Sequence, residues 1–380
     1  MTIHEQIKYC LDNLREVPDE FKESTELLKK WLLRPDSEGI MPEIYITMSN
    51  RTGGKTYFIA YLLFDLWRRF GTKFALETRT GSELGNVVGG IFSAVMEEFP
   101  GFTIEERIAV PNVYSEIVCK YDCEEEDDKE DGESMKTVKK SEVIGYVLVL
   151  NASDKIKKFS SEFYDVDIMF LDEFQADRYL AGEVDKWVNI HMSVARGHGK
   201  ASRCVPIIMA SNSLTIINPY FAMWKLESKI QANTKFYRAP GLSVLRFVND
   251  AVAKQQSESR FNIACSGNKQ LESNITNSWL NDNRACVCKP DETWGNNVYV
   301  CTFVKGDEKF ALRFYDNGIV YVNRSIDLTC KDVYALSVDG VENIECAKRS
   351  TPLAILNREF LRGNARFSDL SCKYTILDWI

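Results

Sequence analysis

A lysine and a threonine set behind two glycines can hold phosphate, and Gly53-Gly54-Lys55-Thr56 closes the stretch MSNRTGGKT, residues 48–56. The stretch nearly spells G-x-x-x-x-G-K-[ST], with Ser49 where the first glycine is expected. In that pattern the N–H groups of a turn and the positive end of a helix converge on one anion. Gly53 and Gly54 allow close backbone approach, Lys55 would reach the β- and γ-phosphates, and the Thr56 hydroxyl would take a coordination position on Mg²⁺. Ser49, Asn50, Arg51 and Thr52 complete the cradle. The competing reading is a glycine-rich turn that ends in Lys-Thr by chance.

A phosphate loop requires a second, independent feature: an apolar strand ending in Asp, often followed by Glu. Ile168-Met169-Phe170-Leu171-Asp172-Glu173 supplies it. Asp172 would hold the Mg²⁺ through water, and Glu173 would polarise the attacking water as general base. The alternative is a strand end that runs into solvent. Together the two motifs make ATP and Mg²⁺ the expected cofactors.

These residues need elements to position them. EIYITM (43–48) alternates like a short strand, and TYFIAYLLFDLWRRF (56–70) follows the loop as an apolar helix closed by Gly71. KFALET (73–78) is a second strand and SELGNVVGGIFSAVMEEF (82–99) a second helix. The alternation predicts an α/β fold with a parallel sheet flanked by helices. Residues 1–35 read as helix, ending before Arg34-Pro35. NVYSEIVCKYD and KKSEVIGYVLVLN predict a hairpin whose tip is the acidic run 122–133. YDVDIMFLDEF (164–174) and VPIIMASNS (205–213) are buried strands. Polar segments through about residue 290 predict a linker or small helical lid. Beyond Asn297, alternating strands broken by Lys305-Gly306-Asp307 and Asp316-Asn317-Gly318 predict hairpins, and PLAILNREFLRGN (352–364) a helix. The expected domains are 1–228 for nucleotide, 229–292 for the linker or lid, and 293–380 for a small C-terminal α/β domain.

Apolar residues make up 45% of the 380-residue chain, enough for more than one core. No basic-plus-apolar leader opens the chain and no stretch is long enough to span a bilayer, so a soluble cytosolic protein without a membrane partner is expected. Eleven cysteines without C-x-x-C pairs predict reduced thiols. The net charge of −8 does not exclude a nucleic-acid partner, because much of the acid lies in the run 122–133 and the rest of the chain is close to neutral.

The adjacent Glu173 resembles the group of P-loop ATPases that hydrolyse with their own glutamate and carry an extra strand between the two motifs. The resemblance implies that the strand beside the Asp-Glu strand ends in a residue sensing the γ-phosphate, a place taken here by Ser211-Asn212, although Ser-Asn is also common at turns. Motors of the group are usually rings completed by an arginine from the neighbouring subunit. HMSVARGHGKASR (191–203) offers Arg196 first and Arg203 second, with a solvated basic loop as the alternative. The order of the loop, Phe170-Leu171-Asp172-Glu173, Arg196-Gly197, Ser211-Asn212-Ser213 and Asn218-Pro219-Tyr220-Phe221 resembles the genome-packaging ATPases of small phi29-like podophages, relatives of the large terminases. Arg51 inside the loop is similar to that family.

The resemblance covers roughly residues 40–290. It implies a homo-oligomeric ring, commonly a pentamer, docked on the portal of a procapsid. The ring would sit in host cytoplasm without becoming a virion component and pump double-stranded DNA, with a packaging RNA as an optional further partner. It also implies a C-terminal RNase H or nuclease-like domain. An active nuclease would need convergent carboxylates at strand ends, whereas Asp307, Glu308 and Asp316 fall in expected turns and Asp327 stands apart, so a vestigial domain without nuclease activity is expected. Lys155, Lys157 and Lys158, just before the catalytic strand, are the DNA-contact candidates, with Lys139 and Lys140 behind them; ordinary solvated lysines are the alternative. A ring helicase or other translocase, and a nucleotide-gated binding or signalling protein, remain the other functional readings.

Overall fold

In a computed structural model the chain is described except at residues 127–134, 177, 197–202, 217, 227–228, 231–233, 279–285, 338–343, 378 and 380. It divides into two compact units, Met1–Leu214 with Ala232–Leu280, and Thr215–Gln231 with Asn281–Ile380. Much of the segment expected as a separate linker or lid is therefore part of the first unit.

The amphipathic N-terminus forms two helices, α1 (Ile3–Asp12) and α2 (Asp19–Leu32), where one was expected. Pro18 separates them, since proline lacks an N–H and disfavours helical backbone in the residue before it. Strand β1 (Ile44–Ser49) leads through the glycine loop into α3 (Lys55–Phe70). α3 is apolar on most of its surface and accordingly buried along most of its length; its one buried acid, Asp65, is held by Arg68 at 2.6 Å and Arg69 at 2.7 Å. Gly71, at φ 69°, ends it in the left-handed conformation that glycine adopts freely.

β2 (Lys73–Thr78), α4 (Val87–Met96), β3 (Phe102–Val110), β4 (Tyr114–Glu126) and β5 (Met135–Val149) follow. β4 and β5 are the expected hairpin, and most of its acidic tip lies outside the described residues. Then come α5 (Ser153–Ile156), β6 (Val166–Asp172), α6 (Glu183–Val194) and β7 (Ile207–Ser211). α7 (Pro219–Trp224) belongs to the second unit. β8 (Phe236–Ala239), β9 (Leu242–Phe247), α8 (Asp250–Ser257), α9 (Arg260–Ala264) and α10 (Lys269–Thr276) return to the first.

Among the described residues the sheet of the first unit has nine strands in the order β3-β4-β5-β2-β6-β7-β1-β9-β8. From β5 to β9 all neighbours run parallel, as expected; β3, β4 and β8 add antiparallel edges, so the sheet is mixed. The register is tight at the centre, with Thr47 beside Ala210 and Asp172 beside Ala210. β7 thus separates the loop strand β1 from the carboxylate strand β6. Parallel strands end at the same edge of a sheet, which brings the turns after β1, β6 and β7 together.

The second unit is built on β10 (Asn297–Lys305), β11 (Glu308–Tyr315), β12 (Val320–Asn323), β13 (Val333–Ala335), β14 (Glu345–Cys346), α11 (Thr351–Leu361), β15 (Ala365–Phe367) and α12 (Leu370–Leu377). The order is β14-β13-β10-β11-β12-β15, with an antiparallel meander β10-β11-β12 and parallel β13 and β14 alongside. The hairpins fall at the expected turns, where Gly306 and Gly318 take φ 55° and 85°. Phe303, Phe310, Leu312, Val322, Leu356 and Phe367 form the buried core. This second sheet fits the nuclease-like domain expected from the sequence.

Candidate functional site

The loop after β1 is shaped by its own side chains. Ser49 Oγ donates to the Asn50 carbonyl at 3.1 Å, and a Cβ on Gly53 would stand 2.7 Å from that same Oγ. Ser49 therefore fills the space against which Gly53 is packed, and its side chain faces the protein interior. Gly54 has φ 85° and lies under Phe21 of α2, whose Cδ1 would be 2.9 Å from a Cβ there. Behind this glycine the first helical hydrogen bond of α3 runs from Phe58 N–H to the Gly54 carbonyl at 2.9 Å. The amides at the start of the helix precede that bond, and a helix leaves its first N–H groups without internal acceptors, which suits an anion. The amides of Arg51 and Gly53 are already committed, to the carbonyls of Asn274 at 2.8 Å and Asn50 at 3.2 Å.

Residues far apart in sequence meet behind this loop. The Thr56 hydroxyl donates to Asp172 at 3.0 Å across 116 residues, and Lys55 Nζ donates to Asn212 Oδ1 at 2.8 Å across 157. Lys55 is only 8% exposed, and burial lowers its ammonium to about 8 against the pull of Asp172 and Glu173. Burial likewise raises the Asp172 carboxyl to about 6, opposed by Lys55 and by the Thr56 hydrogen bond. Each group offsets the other's desolvation only in part, which leaves the ammonium short of an anion and the carboxylate short of a cation. Phosphate with a divalent metal meets both needs, and these residues fit that pair. Glu173, one residue further, is exposed and sits at φ 52°, left-handed backbone that a non-glycine residue adopts only under constraint.

The polar segment after β9 clamps the loop. Asn50 and Asn249 exchange hydrogen bonds, Asn249 N–H to Asn50 Oδ1 at 2.8 Å and Asn50 Nδ2 to the Asn249 carbonyl at 3.3 Å. Gln256 Nε2 donates to the Arg51 carbonyl and the Thr52 hydroxyl, both at 3.2 Å. Arg51 itself is exposed. None of these partners stands out in sequence, because asparagine and glutamine in a polar segment carry no periodic signal. The same holds for a cavity of about 450 Å³ beside Gly54 and Lys55, walled by Val17 and Pro18 of the α1–α2 connection, Phe21, and Tyr57 and Tyr61 of α3. Its size and apolar lining suit a flat heterocycle.

Other candidates lie elsewhere. Arg196 is exposed directly after α6. Arg203 turns inward, donating to Asp167 at 2.8 Å and to the Val194 carbonyl at 3.2 Å, which ties the end of α6 to the start of β6. Lys155, Lys157 and Lys158 are exposed on α5 and the turn after it, around the buried anchor Ile156. Gly197 lies outside the described residues. In the second unit Glu308 accepts from Arg324 at 3.0 Å, Asp316 from Asn296 N–H at 2.8 Å and Asp327 from Thr329 N–H at 2.9 Å, so each acid is engaged locally. Among the described residues no group of three or more His, Cys, Asp or Glu side chains is placed to hold a metal ion.

The model of the family described as podovirus DNA encapsidation protein (Gp16) matches residues 105–378. The DNA packaging protein of Bacillus phage B103 is 25% identical over 236 residues, covering 59% of this chain and 70% of that protein. That of Bacillus phage phi29 is 22% identical over 329 residues, 83% and 86% of the two chains. Among solved structures, a chain of the bacteriophage Phi-29 viral genome packaging motor assembly superposes with a TM-score of 0.58 at 19% identity, covering 89% of this chain and 93% of that one. A chain of the Phi-28 gp11 DNA packaging motor gives 0.57 at 15% identity, with 95% and 98% covered. These two share its fold. The family match begins beyond the phosphate loop, which stands on its own geometry.

Proposed function

The chain belongs to the podovirus DNA encapsidation protein (Gp16) family, and from that premise we propose that it is the ATPase of a motor that drives viral double-stranded DNA into a preformed capsid. The observation that carries the nucleotide chemistry is the meeting of Lys55 and Thr56 with Asn212 and Asp172 at one edge of the sheet. Lys55 and the helix-start amides bind the β- and γ-phosphates, while the cavity walled by Phe21 and Tyr57 takes the adenine. Thr56 and Asp172 would hold Mg²⁺, which supplies charge neutralisation at the phosphates. Glu173 accepts the proton of the attacking water, and Asn212 orients Lys55 or the γ-phosphate.

The exposure of Arg196 suits a residue that acts on a neighbouring subunit's nucleotide, which makes a homo-oligomeric ring part of the reading. The exposed Lys155, Lys157 and Lys158 lie on the segment that leads into β6, so a shift of β6 on hydrolysis would be passed back to DNA held there. The second unit, with Glu308, Asp316 and Asp327 engaged in local hydrogen bonds, is assigned to docking on a portal, procapsid or packaging RNA, without nuclease activity. Among the described residues no helix is long and apolar enough to cross a membrane; a packaging motor of this kind would act in host cytoplasm.

Glu173→Gln tests the reading. General-base removal costs about 100- to 10,000-fold in turnover, so DNA-stimulated ATP hydrolysis is expected to fall at least 100-fold with ATP affinity kept within threefold. Hydrolysis at the wild-type rate would overturn the assignment. DNA uptake into procapsids without strand separation on a forked duplex distinguishes packaging from the helicase alternative.

A further inference from the structure

The turn that carries Asp172 and Glu173 is held by a residue with no part in the chemistry described so far. Arg79, directly after β2, donates from Nη1 to the Glu173 carbonyl at 2.8 Å and from Nη2 to the Phe174 carbonyl at 2.6 Å. Its Nε donates to both carboxylate oxygens of Glu183, at 3.1 and 3.3 Å, and its guanidinium lies 5.7 Å from the Tyr179 ring centre. The Glu183 side chain is fully buried and opens α6, where its Oε2 also accepts the Leu180 N–H at 2.8 Å. A buried carboxylate against a mostly buried guanidinium fixes both in place. The fixed fork then grips the two carbonyls that follow Asp172.

That grip bears on the conformation of Glu173. Its φ of 52° is a left-handed value, which a residue with a Cβ holds only when its surroundings over-determine it. Glu173 N–H reaches Asp172 Oδ1 at 3.0 Å and Phe174 N–H reaches the Ala210 carbonyl at 3.1 Å, which fixes the amides; Arg79 fixes the carbonyls. Released from Arg79, the peptide could rotate toward an ordinary φ and swing the carboxylate away from its present direction. A lysine cannot substitute, since one ammonium on a flexible stem cannot span two carbonyls and a carboxylate in a planar fork.

We propose that Arg79 is a positioning residue for ATP hydrolysis: locked by Glu183, it holds the Glu173–Phe174 backbone so that the Glu173 carboxylate is presented to the attacking water. The same pair ties the catalytic turn to α6, the helix after which Arg196 follows. The proposal rests on the reading of Glu173 as general base.

The test uses the full chain and measures kcat at saturating ATP, ATP affinity with a fluorescent analogue, and Tm for Arg79→Ala, Arg79→Lys, Glu183→Gln, Glu173→Gln and the double variant Arg79→Ala/Glu173→Gln. Misplacing a catalytic group by about 1 Å costs roughly 100-fold, so Arg79→Ala is expected to lose about that factor in kcat with ATP affinity within threefold, and Arg79→Lys to recover only a minor part. In the Glu173→Gln background Arg79→Ala is expected to cost nothing further, because its target is already gone. Equal losses in both backgrounds, or affinity falling in step with kcat, would reduce Arg79 to a structural ion pair. If Arg79→Ala does not fold, Arg79→Lys and Glu183→Gln decide: reduced kcat at unchanged affinity supports the role, and wild-type kcat in both overturns it. Wild-type hydrolysis by Glu173→Gln would remove the general-base reading itself, whereas a slow Glu173→Gln beside a fast Arg79→Ala would refute the positioning role alone.

Discussion

Gly54→Ala tests whether the phosphate loop is held in the shape described. The new methyl group meets two penalties of different origin. At φ 85° an alanine sits in the left-handed region, which costs about 1 to 2 kcal/mol for a residue with a Cβ. Its Cβ also falls 2.9 Å from Cδ1 of Phe21; because a half-buried ring edge can shift, the low end of the overpacking range applies, about 1 kcal/mol. The sum, about 2 to 3 kcal/mol, corresponds to a Tm lower by roughly 4 to 12 °C for a domain of this size. Differential scanning calorimetry with and without ATP reads both stability and site. Saturating ligand at 100 times Kd adds about 2.7 kcal/mol to a competent protein, and the variant is expected to gain less, since the loop must distort to admit the methyl group. Phe21→Ala separates the two penalties. In the double variant the steric part disappears, leaving a coupling of about 1 kcal/mol between the sites. A Gly54→Ala protein melting within about 1 °C of wild type, well short of the roughly 4 °C that the smaller sum implies, or strictly additive effects with Phe21→Ala, would refute this account of the loop.

Two further outcomes follow from buried polar groups. Asn212→Ala removes the acceptor 2.8 Å from Lys55 Nζ; kcat is expected to fall about 100-fold, the low end for losing one electrostatic contact at a reacting centre, and an unchanged steady-state rate would exclude Asn212 from the hydrolytic site. Glu77 on β2, beside Leu171 in the sheet, is buried, and burial pushes its carboxyl well above the ordinary value, opposed by a hydrogen bond from the Trp187 indole. An acid with a raised folded pKa binds more protons folded than unfolded, so its share of stability is lost as pH rises from the usual carboxylate range toward the raised value. Glu77→Gln is therefore expected to flatten that decline and to be at least as stable as wild type at pH about 7; thermal melts in which wild type and variant keep the same slope with pH would contradict it.

Several features were legible in the residues themselves. Gly-Gly-Lys-Thr behind a β-branched run marks a strand, turn and helix because glycine permits the turn and the apolar run after it can only be buried. The hairpins at Gly306 and Gly318 were readable for the same reason, as was the apolar strand ending at Asp172. Other features were hidden. β9 reads as part of a polar region, since one six-residue strand in a mixed context has too few alternations to register. The break between α1 and α2 was carried by Pro18 alone. Arg203 stood second to Arg196 in the same basic run, and only the placement of Asp167 and the Val194 carbonyl turns it inward.

The chemistry on offer is set by the order of residues: an ammonium, a hydroxyl and two carboxylates, each at the end of an element that its local pattern defines. Tertiary structure decided which of them meet. Inserting β7 between β1 and β6 brings Asn212 to Lys55, and the parallel run of these strands carries Thr56 to Asp172. The clamp of Asn249 and Gln256 on the loop, the cavity behind Phe21, and the hold of Arg79 on the Glu173 turn arise in the same way. Each joins residues from separate elements, and the physical reason is that periodicity and turn chemistry act over a few residues, whereas strand order and packing are set by burying the whole apolar surface at once.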